Sequence, residues 1–159
     1  MTSEQRHHYR VDIEWTGNLG TGTQTYRSYR RDHSIHVTGK PTLAGSSDPT
    51  FHGDAARHNP EDLLLAALSS CHMLSYLHMA VLAGVVVTAY TDVAEATMET
   101  AGQGGRFVEV VLHPLVTISA GSDPAKAEAA HADAHHACFI ANSVNFPVRC
   151  EPRIVFAAA

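Results

Sequence analysis

Tyr9, Val11, Ile13 and Trp15 alternate with Arg10, Asp12 and Glu14, the period of two expected of a strand with one buried face. GNLGTGT (17–23) is a turn, and TQTYRSYRR with SIHV resumes strand character, so residues 9–38 predict a β-hairpin or meander. Residues 39–58 contain Lys40-Pro41 and Asp48-Pro49, lack any periodicity, and predict a long loop of the kind that carries function or wraps a partner. A strong helix start follows: Asn59 is an N-cap type, Pro60 takes the first helical position, and Glu61 and Asp62 favour the dipole of the first turn. That helix is expected over 60–83, with Gly84 as its C-cap. Strands are expected over 85–119, broken at the Gly-rich turn AGQGG. Asp123-Pro124 opens a second, Ala-rich helix over 124–144, and a closing strand covers 152–157. Strands, loop, helix, strands, helix and strand in that order predict an α+β fold.

Residues 63–87 contain no Asp, Glu, Lys or Arg and are long enough to span a bilayer. The run nevertheless includes Ser, His, Tyr and Cys, lacks flanking basic anchors, and ends at Gly84 followed by three valines, which argues against a membrane span. A soluble helix that is apolar all round needs cover on every side. A chain of 159 residues has few elements to supply it, so the pattern predicts a homodimer. The length and a 45% hydrophobic content suit one domain, 1–159. With 11 basic against 16 acidic residues, a net charge of −5 and no basic stripe interleaved with aromatics, no nucleic-acid partner is expected. The polar N-terminus lacks a secretory apolar core, so the cytoplasm is the expected compartment and the three cysteines, at 71, 138 and 150, are expected as thiols.

Cys71 lies mid-helix in apolar surroundings, where a cysteine is ordinarily inert packing. Cys138 falls on the second predicted helix beside Ala127, Ala130, Ala134 and Ala141, small residues that would let another helix approach. If the two helices face each other, Cys71 and Cys138 form a candidate reversible disulfide; otherwise both are filler. Two competing sites share the same helices. His131, His135 and Cys138 follow one helical stripe with spacing suited to zinc. Cys71, Ser75 and His78 follow another, on which His78 could deprotonate the thiol.

NPEDLLLAALSSC resembles the signature that opens the central helix of the OsmC/Ohr family of thiol peroxidases, and AHHACFIANSVNFPV resembles that family's second-cysteine helix. The resemblance implies an intertwined homodimer in which two central helices are wrapped by antiparallel sheets. It implies that Cys71 attacks the O–O bond of an organic hydroperoxide, that Cys138 condenses with the resulting sulfenic acid, and that an external thiol, lipoyl-type in one branch, reduces the disulfide, with no metal or bound cofactor. It further implies an arginine beside Cys71, held by the acid at Glu61. The first hairpin offers Arg27, Arg30 and Arg31 for that role and the loop before NPE offers Arg57, with Arg27 the first choice and Arg57 the second, and with Tyr26 or Tyr29 walling the pocket. Glu61 and Cys71 are about 15 Å apart along a straight helix at ~1.5 Å per residue, so the arginine must bridge them or the helix must bend. Phe139 and His72 depart from the family's usual residues, and Cys150 matches none of its roles and reads as structural. The alternative function is a non-catalytic binding protein for a small apolar or acyl ligand on the same scaffold, or a His/Cys zinc protein.

Overall fold

The structure, a computed structural model describing residues 5–158, divides between Leu63 and Leu64 into two units. The first holds an antiparallel sheet of β1 (Asp12–Trp15), β2 (His33–His36) and β3 (Leu43–Gly45) in that order. Ile13 pairs with Ile35 and Ile35 with Leu43. The strand expected to be half-buried is confined to Asp12–Trp15, and both of its faces are exposed within one chain, as are Tyr9 and Val11 before it. Residues 19–31, expected as strand in part, are mostly turns, pinned where Asn18 bridges Tyr29 and the Trp15 indole donates to the Arg30 carbonyl at 2.8 Å. The predicted loop 39–58 is more ordered than its composition suggested: it contains β3 and a 3-10 turn, Pro49–Phe51, capped by the Asp48 side chain.

Helix α1 (Pro60–Leu82) begins as its sequence dictates. Asn59 Oδ1 accepts the Asp62 N–H at 2.7 Å, and the Asp62 carboxylate accepts the Asn59 N–H at 3.3 Å. Asp62, rather than Glu61, closes this reciprocal cap. Gly84 ends the helix with φ +73°, a left-handed conformation that favours glycine. Within one chain α1 buries a single row, Leu68, His72, Tyr76 and Ala80, while Leu74, Val81 and Leu82 are exposed.

The second unit adds β4 (Val87–Asp92), β5 (Glu95–Ala101), β6 (Gly104–Leu112), β7 (Pro114–Ile118), α2 (Pro124–Ala137), β8 (Val148–Cys150) and β9 (Arg153–Phe156). The two long strands expected within 85–119 each split in two and change sheets at the break. Asp92 and His113 mark that corner: Pro114 has no N–H to offer, and the His113 N–H is taken by the Asp92 carboxylate at 2.7 Å. The resulting sheets run β4-β7-β9 and β5-β6-β8. Neither is purely antiparallel, as the sequence resemblance implied. β8 pairs parallel to β6 and β9 parallel to β7, because both return after the α2 crossover in the direction of the strand they join.

Two apolar clusters result. Tyr76, Ala80, Val116, Ile118, Ala127, Ala130 and Ala134 form one; Leu68, Val110 and Leu112 form the other. His72, between Leu68 and Tyr76 on the buried row of α1, stands where one cluster gives way to the other.

Candidate active site

Three rungs connect α1 to α2. The Tyr76 hydroxyl donates to the Ala127 carbonyl at 3.1 Å, His72 Nε2 meets His131 Nδ1 at 3.0 Å, and the Cys71 thiol neighbours that of Cys138 closely enough to act on its ionisation. Numbers rise on one helix as they fall on the other, so the two run in opposite directions. The alanine stripe of α2 is buried as its spacing predicted, at Ala127, Ala130 and Ala134.

Cys138 is not mid-helix, as expected; it is the C-cap of α2, in an extended conformation. The predicted helix over 124–144 stops at Ala137 because its carbonyls find other partners. The Asn142 side-chain amide donates to the His136 carbonyl at 2.9 Å, and the Ala141 N–H donates to Cys138 Sγ at 3.4 Å. A thiol accepting a main-chain N–H competes with the helical ladder, and a short 3-10 turn, Ala141–Ser143, follows.

Cys71 is half-buried and Cys138 buried, both as free thiols. Burial pushes the Cys138 thiol up to about 11, and the neighbouring Cys71 thiol acts in the same direction. In the resting state Cys138 is therefore a protonated thiol, available as a donor to Cys71.

The arginine candidates lie in the first unit. Arg27 is exposed in the turn region. Arg57 is half-buried, its Nε 3.6 Å from Asp54 and 3.9 Å from Asp32. Asp32 is itself buried and accepts the Ser46 hydroxyl at 3.2 Å. Glu61 is half-buried and forms no ion pair among the described residues, so Arg57 is held by Asp32 and Asp54 instead. Arg31 is committed elsewhere: its guanidinium lies 4.3 Å from the ring centres of both Tyr26 and Tyr29 and donates to both of their carbonyls.

His131 does not join His135 and Cys138 in the zinc arrangement its spacing suggested. It turns instead toward His72 and Cys150, whose Sγ lies 3.4 Å from His72 Nε2 and 3.7 Å from His131 Nδ1. The two imidazoles are nearly parallel, but with ring centres 5.3 Å apart they meet edge to edge; Tyr76 lies face-on to His131 at 3.9 Å. Burial lowers His131 to about 4, with His72 adding to the effect, and burial lowers His72 as well, helped by His135 and opposed by Asp92. Burial raises Cys150 to about 12, and the carboxylates of Asp92 and Glu151 reinforce it. His78, considered as a base for Cys71, is exposed. No spacing rule links residues 72, 131 and 150; only the antiparallel docking of the helices and the parallel return of β8 bring them together.

The family profile described as "OsmC-like protein" matches residues 52–153. An OsmC-like protein of unknown function from Vibrio cholerae O1 biovar eltor superposes with a TM-score of 0.83 at 32% identity, covering 93% of this chain and 100% of the other. An organic hydroperoxide resistance protein OsmC from Legionella pneumophila gives 0.66 at 20% identity, covering 94% and 98%. An organic hydroperoxide resistance protein from Elizabethkingia anophelis gives 0.66 at 17% identity, covering 96% and 100%. No curated protein matches the chain.

Proposed function

Because this chain belongs to the OsmC-like family, we propose that it is a thiol-dependent peroxidase that reduces organic hydroperoxides in defence against oxidative stress. One observation carries the reading: the Cys71 and Cys138 thiols, far apart in sequence, are neighbours across α1 and the end of α2, close enough for one to raise the other. The names of the Legionella and Elizabethkingia neighbours support the substrate class.

The Cys71 thiolate attacks one oxygen of ROOH, the O–O bond breaks, and the alkoxide takes a proton to leave as ROH. Cys71 becomes a sulfenic acid. Cys138 gives up its proton and attacks the Cys71 sulfur, expelling hydroxide, which leaves as water; the S–S bond joins the two residues. An external dithiol, of lipoyl type, reduces this disulfide by two electrons and becomes a disulfide itself. A guanidinium beside Cys71 would favour its thiolate and the departing alkoxide. Arg27 and Arg57 are the candidates for that role; Asp32 and Asp54 hold Arg57 in place within the first unit, as the family resemblance expects of Glu61, whereas Arg27 is exposed.

The protein works as a homodimer in the cytoplasm, where reducing conditions keep its thiols available. Supporting the dimer, the exposed apolar residues Leu74, Val81 and Leu82 of α1 and Val11, Ile13 and Trp15 of the first unit need cover that one chain does not provide.

Consumption of cumene hydroperoxide with dihydrolipoamide as reductant tests the proposal. Turnover should vanish in Cys71→Ser, while Cys138→Ser should react once and then overoxidise. Arg57→Ala should slow turnover more than Arg27→Ala. Absence of turnover by wild-type protein with three intact thiols refutes the reading.

A further inference from the structure

We propose that His72, His131 and Cys150 form a binding site for a single zinc-class transition-metal ion, separate from the Cys71–Cys138 pair and independent of the peroxidase reading. Two imidazole nitrogens and one sulfur, from α1, α2 and the end of β8, converge on one point, with all three ligand atoms within 4.8 Å of one another. A tetrahedral ion with metal–nitrogen bonds of about 2.0–2.1 Å and a metal–sulfur bond of about 2.3 Å sets N···N at about 3.3 Å and N···S at about 3.6 Å. The triangle found here measures 3.0, 3.4 and 3.7 Å. Loading it moves each ligand atom by only tenths of an ångström. Both rings must also tilt by about 35° so that the two nitrogens now directed at each other aim at the ion once the proton between them has moved.

The alternative is a hydrogen-bonded trio that merely fills the seam between the two apolar clusters. A purely structural histidine in a core has both ring nitrogens satisfied. His131 is 4% exposed, yet its Nε2 is buried without a partner. Its Nδ1, by contrast, faces both His72 Nε2 and Cys150 Sγ, so the polar contacts of this ring are concentrated on the cluster.

Access and a fourth ligand are both at hand. His131 and Cys150 line a pocket of about 410 Å³ together with Glu128, His135 and His136. His135, half-buried one turn beyond His131, or a water in the pocket completes four-coordination. On binding, the proton shared between His72 Nε2 and His131 Nδ1 moves to the other nitrogen of its own ring, and Cys150 releases its thiol proton to solvent. One thiolate and two neutral imidazoles leave a divalent ion with net charge +1, and the carboxylates of Asp92 and Glu151 act on Cys150 from nearby.

Tag-free, chelator-stripped protein titrated with Zn²⁺ against a chromophoric chelator, and with Co²⁺ followed optically, tests the site. One equivalent per chain should bind, and Co²⁺ should give a thiolate-to-metal charge-transfer band. Cys150→Ser should abolish the band and weaken Zn²⁺ by more than about tenfold, while Cys71→Ser and Cys138→Ser keep both. His131→Gln, checked for an unchanged far-ultraviolet spectrum, should weaken Zn²⁺ as strongly. Lack of stoichiometric binding, or a band that survives Cys150→Ser and disappears in Cys71→Ser or Cys138→Ser, overturns the proposal whether or not the protein reduces peroxides.

Discussion

The phenol of Tyr76 donates to the main-chain carbonyl of Ala127 across 3.1 Å, and its ring lies face-on to His131. The hydrogen bond and the stack act together to set how α2 lies along α1, and therefore where Cys138 meets Cys71. Tyr76→Phe keeps the ring and removes the donor. It should cost about 1 kcal/mol, seen as a fall of roughly 2–4 °C in melting temperature. An unchanged melting temperature would mean that the bond contributes nothing net.

Tyr90 provides the opposite case. Its hydroxyl is buried without a hydrogen-bond partner, although its ring packs against that of Tyr76 with centres 5.8 Å apart. An unsatisfied buried hydroxyl has already lost its water without recompense. Tyr90→Phe should therefore be neutral or stabilise by up to about 1 kcal/mol, measured by the same thermal or denaturant unfolding. A loss comparable to that of Tyr76→Phe contradicts this account of the hydroxyl.

Local chemistry explains which features were legible in the sequence. Asn59-Pro60 and Asp123-Pro124 start α1 and α2 where they stand, because caps and proline act over only a few residues. Gly84 ends α1 for the same local reason. The end of α2 was not legible: no glycine or proline stands at Cys138, and the stop depends on Asn142 folding back to His136. The sheet changes at Asp92 and His113 and the strand β8 were equally hidden, since three residues beside Pro147 have no period to detect. Cys71 with Cys138 was visible as a pair of motifs. His72 with His131 and Cys150 was not, because tertiary docking alone joins them.

Two of the thiols should resist iodoacetamide. Burial is the chief cause that pushes the Cys138 thiol up to about 11 and the Cys150 thiol up to about 12. At pH 8 the thiolate fraction of Cys138 is only about one in a thousand. Peptide mapping after brief alkylation at pH 8 should find Cys138 and Cys150 spared, with Cys138 modification rising as pH increases. The same shift has a stability consequence with a definite sign. The fold favours the neutral thiol, so the contribution is complete below about pH 9, where the unfolded thiol is also protonated, and is lost as pH rises from about 9 to 11. Rapid labelling of Cys138 or Cys150 at pH 8 in folded protein contradicts this account.

Asn142 is exposed, but its side-chain amide donates to the His136 carbonyl at 2.9 Å and its main-chain N–H donates to the Cys138 carbonyl at 3.0 Å. Asn142→Ala keeps the second bond and removes the first. Because the amide reaches a terminal carbonyl from the solvent side, water can replace it, and the loss of global stability should be only about 0.5–1 kcal/mol. The local effect should be larger. Without that bond the α2 end is free to fray or to extend past Ala137, and either change moves the Cys138 sulfur relative to Cys71. Peroxide-driven formation of the Cys71–Cys138 disulfide should slow, and amide exchange over residues 138–143 should accelerate, while exchange in the first turns of α2, capped by Asp123, stays unchanged. Wild-type rates of disulfide formation in a variant with accelerated exchange would show that the resolving thiol needs no fixed perch.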